Sequence, residues 1–429
     1  MPSDITIITF GCRLNSYESE VMREHAAKAG LHDIVIFNGC AVTAEAERQL
    51  RQSIRKAKRE NPNLKVIVTG CAAQINPDHY AQMNEVDFVV GNDAKMKLET
   101  FRDIAAQIAQ HPQDLTPIWV SDIQKIRETA LHLVQGFEGR TRAFVQVQNG
   151  CDHRCTFCII PQGRGPSRSV APKEIVEQIR ILVDQGYPEI ALTGVDIASY
   201  GKDLSHRLTL GQLVQEVLAK VPALQWLRLS SLDPAAIDEA LWQAWEQDER
   251  LLPYMHLSLQ AGDDDVLKRM ARRHRRKDVF DLCDRGRSIR SDMTFGADLI
   301  AGFPTETDEM FANTLELVKE TDITWLHVFP YSARKGTHAA RLTQVPVAER
   351  KARAAMLREV GQGAVTCHVD ALIGKEMLVH VEKPSLGRTP TFAEAVWEGE
   401  AVIGTLIKVR GLARCDDKLV VERIGEEGA

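Results

Sequence analysis

Short apolar runs alternate with helical patterns over the first hundred residues. The runs that predict buried strands are ITIITF (5–10), DIVIF (33–37), KVIVTG (65–70) and VDFVVG (86–91). Between them, residues 16–30 and 43–59 have the helical pattern, with Gly30 as a stop signal and Thr43 as an N-cap. Because short apolar strands separated by helices are typical of α/β proteins, we predict an N-terminal doubly wound parallel sheet.

After a less regular stretch the alternation starts again. Helical patterns separate six further apolar runs, at 142–148, 189–193, 225–230, 254–260, 294–300 and 323–329. Six strand–helix units predict a partial (β/α)6 barrel. From residue 366 the runs are short and broken by glycine and proline, which predicts a small all-β barrel. The predicted domains are 1–115, 137–365 and 366–429, with a linker over 116–136.

Composition narrows the class of protein. The chain has 429 residues, of which 44% are apolar and 26% charged, as in ordinary globular proteins. No apolar run approaches the roughly 20 residues that span a bilayer, and the start lacks a basic region before an apolar stretch. We therefore expect a cytoplasmic protein with no membrane partner. Nine cysteines in such a protein favour metal-binding or catalytic thiolates over disulfides.

Three closely spaced cysteines follow the first strand of the predicted barrel. They are Cys151, Cys155 and Cys158, here called the loop trio. Loops at the carboxyl ends of barrel strands are where barrel enzymes build their active sites. Thiolates hold iron–sulfur clusters, and three of them on a four-iron cluster leave one iron open for another ligand. The spacing predicts such an open cluster; the alternatives are zinc with His153 as a fourth ligand, or unliganded thiols.

A second set of three cysteines occupies equivalent positions in the N-terminal domain. Cys12, Cys40 and Cys71, here called the sheet trio, each follow one of the first three predicted strands. Loops at the carboxyl edge of a parallel sheet converge, so the three thiols can meet at one ligand. The alternative is that each is a small packing residue at a strand end.

Both trios lie in motifs that resemble the methylthiotransferase branch of the radical S-adenosylmethionine (SAM) enzymes. The N-terminal motifs are TFGCRLNSYESE, NGCAVTAEAERQLRQ and VTGCAAQ, and those of the barrel are GCDHRCTFCIIPQGRGPSRS, LTGVDIASYG, RLSSLDP, HLSLQAGDDDVLKRMARRH and ADLIAGFPTET. The tail, with GTLIKVRG (404–411), resembles the TRAM module, a small RNA-binding barrel. GCRLNSYESE and NGCAVTAEA most resemble the branch that acts on threonylcarbamoyladenosine beside the tRNA anticodon.

The resemblance implies a reaction and its cofactors. The loop trio would hold a [4Fe-4S] cluster whose open iron binds SAM, and an electron from the cluster would cleave SAM to a radical that removes hydrogen. The sheet trio would hold a second [4Fe-4S] cluster, which carries the sulfur. The implied product is tRNA methylthiolated at C2 of N6-threonylcarbamoyladenosine, with an external electron donor and a sulfur donor as further partners.

Five residues at or just past predicted strand ends are candidates for contact with SAM. They are Gly194, Asp196, Ser230, Gln260 and Asp298. Their alternative roles are a tight turn, helix caps and core hydrogen bonds.

Basic side chains are the candidates for contact with tRNA, because phosphates dominate the affinity for nucleic acids. Two basic runs, 48–59 and 268–277, stand out in a chain of net charge −6. The residues predicted to contact RNA are Arg48, Arg51, Arg55, Arg59, Arg164, Arg168, Arg272, Arg273, Lys408 and Arg410. Solvated helix faces, and loop carbonyls as partners of Arg164 and Arg168, are the alternatives. Phe392 is a candidate for stacking on a base.

Other hypotheses change the substrate or the class of protein. The same cofactors would serve an enzyme that methylthiolates isopentenyladenosine in tRNA, or an aspartate of a ribosomal protein. A hypothesis from another class is a non-enzymatic iron–sulfur sensor that binds RNA.

Overall fold

The computed structural model describes residues 5–110, 117–127, 134, 136–137 and 139–424. Its strands are β1 (Ile5–Thr9), β2 (Ile34–Gly39), β3 (Lys65–Gly70), β4 (Phe88–Val90), β5 (Ile118–Trp119), β6 (Arg142–Gln146), β7 (Gln148–Asn149), β8 (Arg168–Ser169), β9 (Glu189–Thr193), β10 (Trp226–Leu229), β11 (Tyr254–Gln260), β12 (Thr294–Ala301), β13 (Trp325–Pro330), β14 (Glu376–Lys383), β15 (Leu386–Arg388), β16 (Glu394–Val396), β17 (Leu406–Cys415) and β18 (Lys418–Arg423). Its helices are α1 (Arg13–Lys28), α2 (Ala44–Glu60), α3 (Cys71–Ile75), α4 (Pro77–Ala81), α5 (Leu98–Gln110), α6 (Ile160–Arg164), α7 (Pro172–Asp184), α8 (Leu210–Lys220), α9 (Glu239–Gln247), α10 (Asp264–Arg269), α11 (Arg276–Ile289), α12 (Asp308–Glu320) and α13 (Val347–Asp370).

The chain forms two compact units. Of the described residues, the first unit contains those up to 134 together with 148–170 and 332–337, and the second contains those within 135–147, 171–331 and from 338 onward. The 148–170 segment, which carries the loop trio, therefore packs with the N-terminal sheet.

A parallel five-stranded sheet forms the core of the first unit. Strands β1 to β5 lie side by side in sequence order. Met22 of α1 and Phe101 of α5 pack on one face, and Leu50 of α2 packs on the other. Helices on both faces confirm the predicted α/β fold. Strand β5 lies inside the predicted linker, and its two residues are too few to show a hydrophobic period. Residues 116, 128–133 and 135 of that linker lie outside the described residues.

Six parallel strands form the incomplete barrel of the second unit. They pair in the orders β10-β9-β6 and β11-β12-β13, and the bridges Leu227–Leu251 and Leu232–Leu257 lie where the two sheets meet. Each of the six apolar runs predicted as a barrel strand overlaps one of these strands, although β12 and β13 each extend one residue beyond the predicted run. The fold class expected for the central segment is therefore confirmed.

The C-terminal strands close into a small barrel. Its strand order is β14-β15-β16-β18-β17, around a core that includes Val379, Val381 and Leu419. Residues 366–370, which the sequence pattern assigns to this β-rich tail, belong instead to the last turns of α13. In the part of the chain that the structure describes, neither α13 nor any other helix has the length and apolar character needed to cross a membrane.

A buried carboxylate joins the two barrels of the second unit. Glu189, the first residue of β9, accepts hydrogen bonds from Arg228 Nε at 2.7 Å and from His380 Nδ1 of β14 at 3.0 Å, and it also pairs with Arg142. Burial alone would raise the pKa of Glu189, but Arg228 and Arg142 hold it well below its usual value. The amino-terminal end of the incomplete barrel is thus tied to the C-terminal barrel by charge.

Phe392 occupies the same junction. Its ring stacks on Tyr254, with centroids 5.0 Å apart, and the guanidinium groups of Arg388 and Arg228 lie 4.8 and 5.0 Å from it. Because intramolecular partners already occupy this ring, the structure gives Phe392 a packing role and not the predicted stacking on a base.

We expect acid to weaken this junction through His368. Its Nε2 lies 3.0 Å from Thr391 Oγ1, and burial lowers its pKa to about 4. A folded-state pKa below the unfolded value of about 6.5 favours the neutral form, so stability is lost as the pH falls from about 6.5 towards 4. At pH 5 this amounts to about 2 kcal/mol, and His368→Gln should remove that part of the pH dependence.

Urea unfolding at pH 7.5 and pH 5 measures the effect by tryptophan fluorescence, since all tryptophans except Trp119 lie in the second unit. His32→Gln, at an exposed site of the first unit, is the control. An equal loss of stability in wild type and His368→Gln would refute the assignment.

Candidate functional site

The sheet trio lies at one edge of the N-terminal sheet. Cys12 precedes α1, Cys40 directly follows β2, and Cys71 is the first residue of α3. Since β1, β2 and β3 are adjacent and parallel, their carboxyl ends bring the three cysteines to the same edge. A Cβ added to Gly11, the neighbour of Cys12, would lie 3.0 Å from Cys40 Sγ. The backbone at residue 11 therefore comes so close to Cys40 that only glycine fits.

The three thiols interact electrostatically. Burial, together with the nearby sulfurs of Cys71 and Cys12, raises the pKa of Cys40 to about 12. Thiolates packed this closely repel each other, so the arrangement favours a bound cation that withdraws their charge. A set of three soft sulfur donors is the type that iron–sulfur clusters take.

A short antiparallel pair holds the loop trio. Strand β7 pairs with β8 on either side of the loop, and Cys151 N donates to Gly165 O at 3.0 Å. Within the loop, Cys158 N donates to Cys155 O at 3.0 Å. Gly150 has a φ of +73°, and a Cβ there would lie 1.8 Å from Pro166 O, so only glycine fits. The half-exposed cysteines thus project from a constrained turn.

Arg164 links the segment of the loop trio to the sheet trio. It ends α6, its side chain is only 2% exposed, and its Nε donates to Cys71 Sγ at 3.2 Å. Its Nη2 donates to Glu18 Oε2 at 2.9 Å and also to Asn15 Oδ1. The buried guanidinium of Arg164 therefore contacts both the thiol of Cys71 and the carboxylate of Glu18, and that carboxylate balances the charge of the guanidinium.

Lys95 completes this buried network. Its Nζ lies 2.6 Å from Glu18 Oε2 and 3.2 Å from Asn38 Oδ1. Burial alone would raise the pKa of Glu18, but Arg164 and Lys95 lower it, so the carboxylate is ionised. Arg164 and Lys95 both contact this one carboxylate, and burial lowers the pKa of Lys95. The fixed positive charge of Arg164 at Cys71 Sγ fits a negatively charged group held by thiolates, as an iron–sulfur cluster is.

Sequence reasoning did not select the polar partners Glu18, Lys95 and Asn92. Asn92 Nδ2 donates to Gly163 O at 2.6 Å and lies 3.7 Å from Cys71 Sγ. Asn92 and Lys95 follow the short strand β4 at the same sheet edge as the cysteines, and this placement was an available signal. Glu18 lies in an amphipathic helix, where a charged residue normally predicts a solvated face.

The SAM candidates all lie in the second unit. Gly194 and Asp196 follow β9, Ser230 follows β10, and Gln260 ends β11. Asp298 lies inside β12 and not at its end.

Two histidines that sequence reasoning missed contact Asp298. Its Oδ1 lies 3.1 Å from His256 Nε2 and 3.3 Å from His327 Nδ1. The carboxylate that we predicted to contact SAM thus already has two imidazole partners.

Of the four arginines predicted on α2, three lie on the side away from its buried residues Leu50 and Ile54. Arg48 is exposed and donates to Glu45 at 2.7 Å, whereas Arg51 is half-buried beside Tyr80. The other two are Arg55 and Arg59, and both are exposed.

The remaining basic candidates differ in how strongly they are paired. Arg272 is 7% exposed and donates to Ser258 O at 2.6 Å, while Arg273 donates to Asp233 Oδ2 at 3.1 Å. Exposed Lys408 and Arg410 share Glu376, at 2.8 and 2.7 Å.

Arg168 donates to the carbonyls of Pro166 and Arg164, and Arg164 itself is buried. For these two arginines the structure favours the loop-carbonyl and packing alternatives over phosphate contact.

Comparison with known proteins agrees with this geometry. The family model described as the radical SAM superfamily matches residues 145–318, and that of the uncharacterized protein family UPF0004 matches residues 4–91. The threonylcarbamoyladenosine tRNA methylthiotransferase MtaB of Rickettsia prowazekii is 48% identical over 94% of this chain and 93% of its own length. The chain belongs to the radical SAM methylthiotransferase family.

Other members and one solved structure extend the comparison. MtaB of Thermotoga maritima is 38% identical over 88% of this chain and 86% of its own. The tRNA-2-methylthio-N(6)-dimethylallyladenosine synthase of Desulfitobacterium hafniense is 30% identical over 95% of both. The radical SAM methyltransferase TsrM of Kitasatospora setae, solved with cobalamin and a [4Fe-4S] cluster, superposes with a TM-score of 0.55 at 13% identity, over 79% of this chain and 77% of that one, and shows a shared fold. Members of this family use SAM and [4Fe-4S] clusters.

We expect Arg164→Met to destabilise the N-terminal sheet of this methylthiotransferase. The variant removes the hydrogen bonds that Arg164 donates to buried Glu18 and leaves Lys95 as the remaining cation; a hydrogen bond to a charged group contributes about 1.5–3 kcal/mol. Amide hydrogen exchange in β1 to β3 measures the loss as a lower free energy of opening.

Arg55→Met is the matched control, because Arg55 is exposed and its carboxylate partner Glu85 lies 3.9 Å away. The control should change the same free energy by no more than about 1 kcal/mol. Equal exchange protection in wild type and Arg164→Met would show that the network does not hold the sheet edge.

Proposed function

We propose that this protein is a tRNA methylthiotransferase that acts on N6-threonylcarbamoyladenosine and adds a methylthio group at C2 of its adenine ring. The observation that carries the proposal is the 48% identity over 94% of the chain to a relative named for this nucleoside. The relatives named for dimethylallyladenosine, at 30–31% identity, support the same chemistry on another base less strongly.

We propose that the loop trio holds the cluster that binds SAM and that the sheet trio holds the second cluster. When bound, these cofactors supply reductive cleavage of SAM and a sulfur atom held on iron. The protein contributes placement and charge. Arg164 puts a fixed positive charge 3.2 Å from Cys71 Sγ. Gly150 allows the tight turn that sets the start of the loop trio.

The remaining assignments belong to the same proposal. Gly194, Asp196, Ser230 and Gln260 lie at carboxyl strand ends, where barrel enzymes bind their ligands, and support contact with SAM. Exposed basic side chains on α2 and β17 support contact with tRNA phosphates. An external electron donor and a sulfur donor are further partners, and a tRNA substrate places the reaction in the cytoplasm.

Single cysteine variants separate the roles of the two trios. Cys155→Ala should release no 5′-deoxyadenosine from SAM, whereas Cys71→Ala should still cleave SAM and yield no methylthiolated tRNA. Each variant should retain about four irons after anaerobic reconstitution, against about eight in wild type, because one [4Fe-4S] cluster is lost. Cys283→Ala, at a buried cysteine outside both trios, is the control and should keep both activities. Methylthiolated product from Cys71→Ala would contradict the division.

The substrate is tested by mass spectrometry of tRNA nucleosides from cells with and without this protein. We expect the 2-methylthio form of N6-threonylcarbamoyladenosine to disappear and the unmodified nucleoside to accumulate. Loss of the methylthiolated dimethylallyl or isopentenyl nucleoside, or of a methylthiolated aspartate in a ribosomal protein, would replace the proposed substrate. A sensor without enzymatic activity would release no 5′-deoxyadenosine when reconstituted with SAM and a reductant.

A further inference from the structure

Alternate residues of β13 point to opposite sides of the incomplete barrel. Leu326 packs outward, because a Cβ on Gly361 of α13 would lie 3.0 Å from it. Trp325, His327 and Phe329 therefore share the inner face. In the register of β12 with β13, Asp298 lies opposite His327, and Ile300 lies opposite Phe329.

A series of hydrogen bonds from buried residues of the barrel holds the imidazole of His327 in position. Tyr254 Oη lies 2.9 Å from His256 Nδ1, and His256 Nε2 lies 3.1 Å from Asp298 Oδ1. The same oxygen lies 3.3 Å from His327 Nδ1. Tyr254 and His256 are buried, and a Cβ on Gly296 would lie 2.4 Å from Tyr254 Oη, so the back of the chain is tightly packed.

The His327 end of this hydrogen-bond chain is exposed to solvent. The side chain of His327 is 58% exposed although it lies within a strand of the barrel. Its Nδ1 is used by Asp298, so Nε2 is the ring nitrogen left for a ligand. Phe329, two residues further along the same face, is 42% exposed. A positioned imidazole beside an exposed aromatic ring, inside a barrel, is the composition of a ligand pocket.

We propose that His327 and Phe329 bind the base of the substrate nucleoside, His327 by hydrogen bonding its polar N6 substituent and Phe329 by stacking on the ring. The proposal rests on the proposed function, which supplies a purine with a polar substituent. Aromatic side chains stack on unpaired bases irrespective of their edges, whereas an oriented imidazole distinguishes a substituent that carries donors and acceptors from an apolar one. Asp298 acts as a positioning residue, because it reaches the ligand through His327.

Binding of anticodon stem-loops to the protein that carries both clusters tests the proposal, measured anaerobically by fluorescence anisotropy. Three stem-loops differ in one nucleoside, which is N6-threonylcarbamoyladenosine, dimethylallyladenosine or adenosine. Wild type should prefer the first. His327→Ala should reduce that preference about tenfold, the loss expected for one hydrogen bond to a polar group, and leave binding of the adenosine loop unchanged. Phe329→Ala should weaken all three loops about equally.

His32→Ala, an exposed histidine of the first unit, is the matched control and should bind all three loops as wild type does. SAM binding, measured separately by equilibrium dialysis, should be the same in wild type and His327→Ala. A preference that survives His327→Ala, an equal loss for all loops, or loss of SAM binding would each overturn the inference while the proposed function stands. A wild type without preference for the threonylcarbamoyl loop would instead overturn the proposed substrate and the inference together.

Discussion

The buried pair of Arg164 and Glu18 is the interaction on which the arrangement of both cysteine trios depends. The two residues are 146 positions apart in the chain, Glu18 six positions after Cys12 of the sheet trio and Arg164 six positions after Cys158 of the loop trio. A guanidinium in the interior needs a carboxylate, so the segment that carries Cys158 cannot leave the sheet edge without exposing or stranding a charge. The same guanidinium contacts Cys71 Sγ. The position of the segment that carries the loop trio therefore determines the charge beside the sheet trio.

The second unit uses a similar arrangement at a different junction. Glu189 is fully buried and is shared by two arginines and by His380 of the C-terminal barrel. Buried ion pairs contribute little net stability compared with apolar packing of the same volume, but they penalise any arrangement in which a partner is missing. At both places the charges select one relative arrangement of segments that apolar packing alone would leave less defined.

The sequence predicts those parts of the molecule that repeat with a local period. The cysteines after β1, β2 and β3 could be predicted as a set because the end of each apolar run marks the end of a strand. The six barrel strands could be predicted because each is an apolar run of its own. The partners of these residues carry no such signal. Glu18 looks like any acidic residue of an amphipathic helix, and His256 and His327 meet Asp298 only because three strands lie in register. Phe392 looks like an exposed loop aromatic until the fold stacks it on Tyr254.

Pairing inside the protein decides how much of a basic run can serve a nucleic acid. In the run at 268–277, Arg272 and Arg273 are bonded to Asp233, and Arg276 pairs with Glu316 and Glu320. A phosphate at Arg272 or Arg273 would have to replace buried Asp233, which costs far more than replacing a surface carboxylate worth about 0–1 kcal/mol. Arg48 and Arg55 of α2 pair with surface carboxylates, so their charge is available at little cost. Local pairing, more than the net charge of −6, therefore decides where the acidic chain can meet RNA.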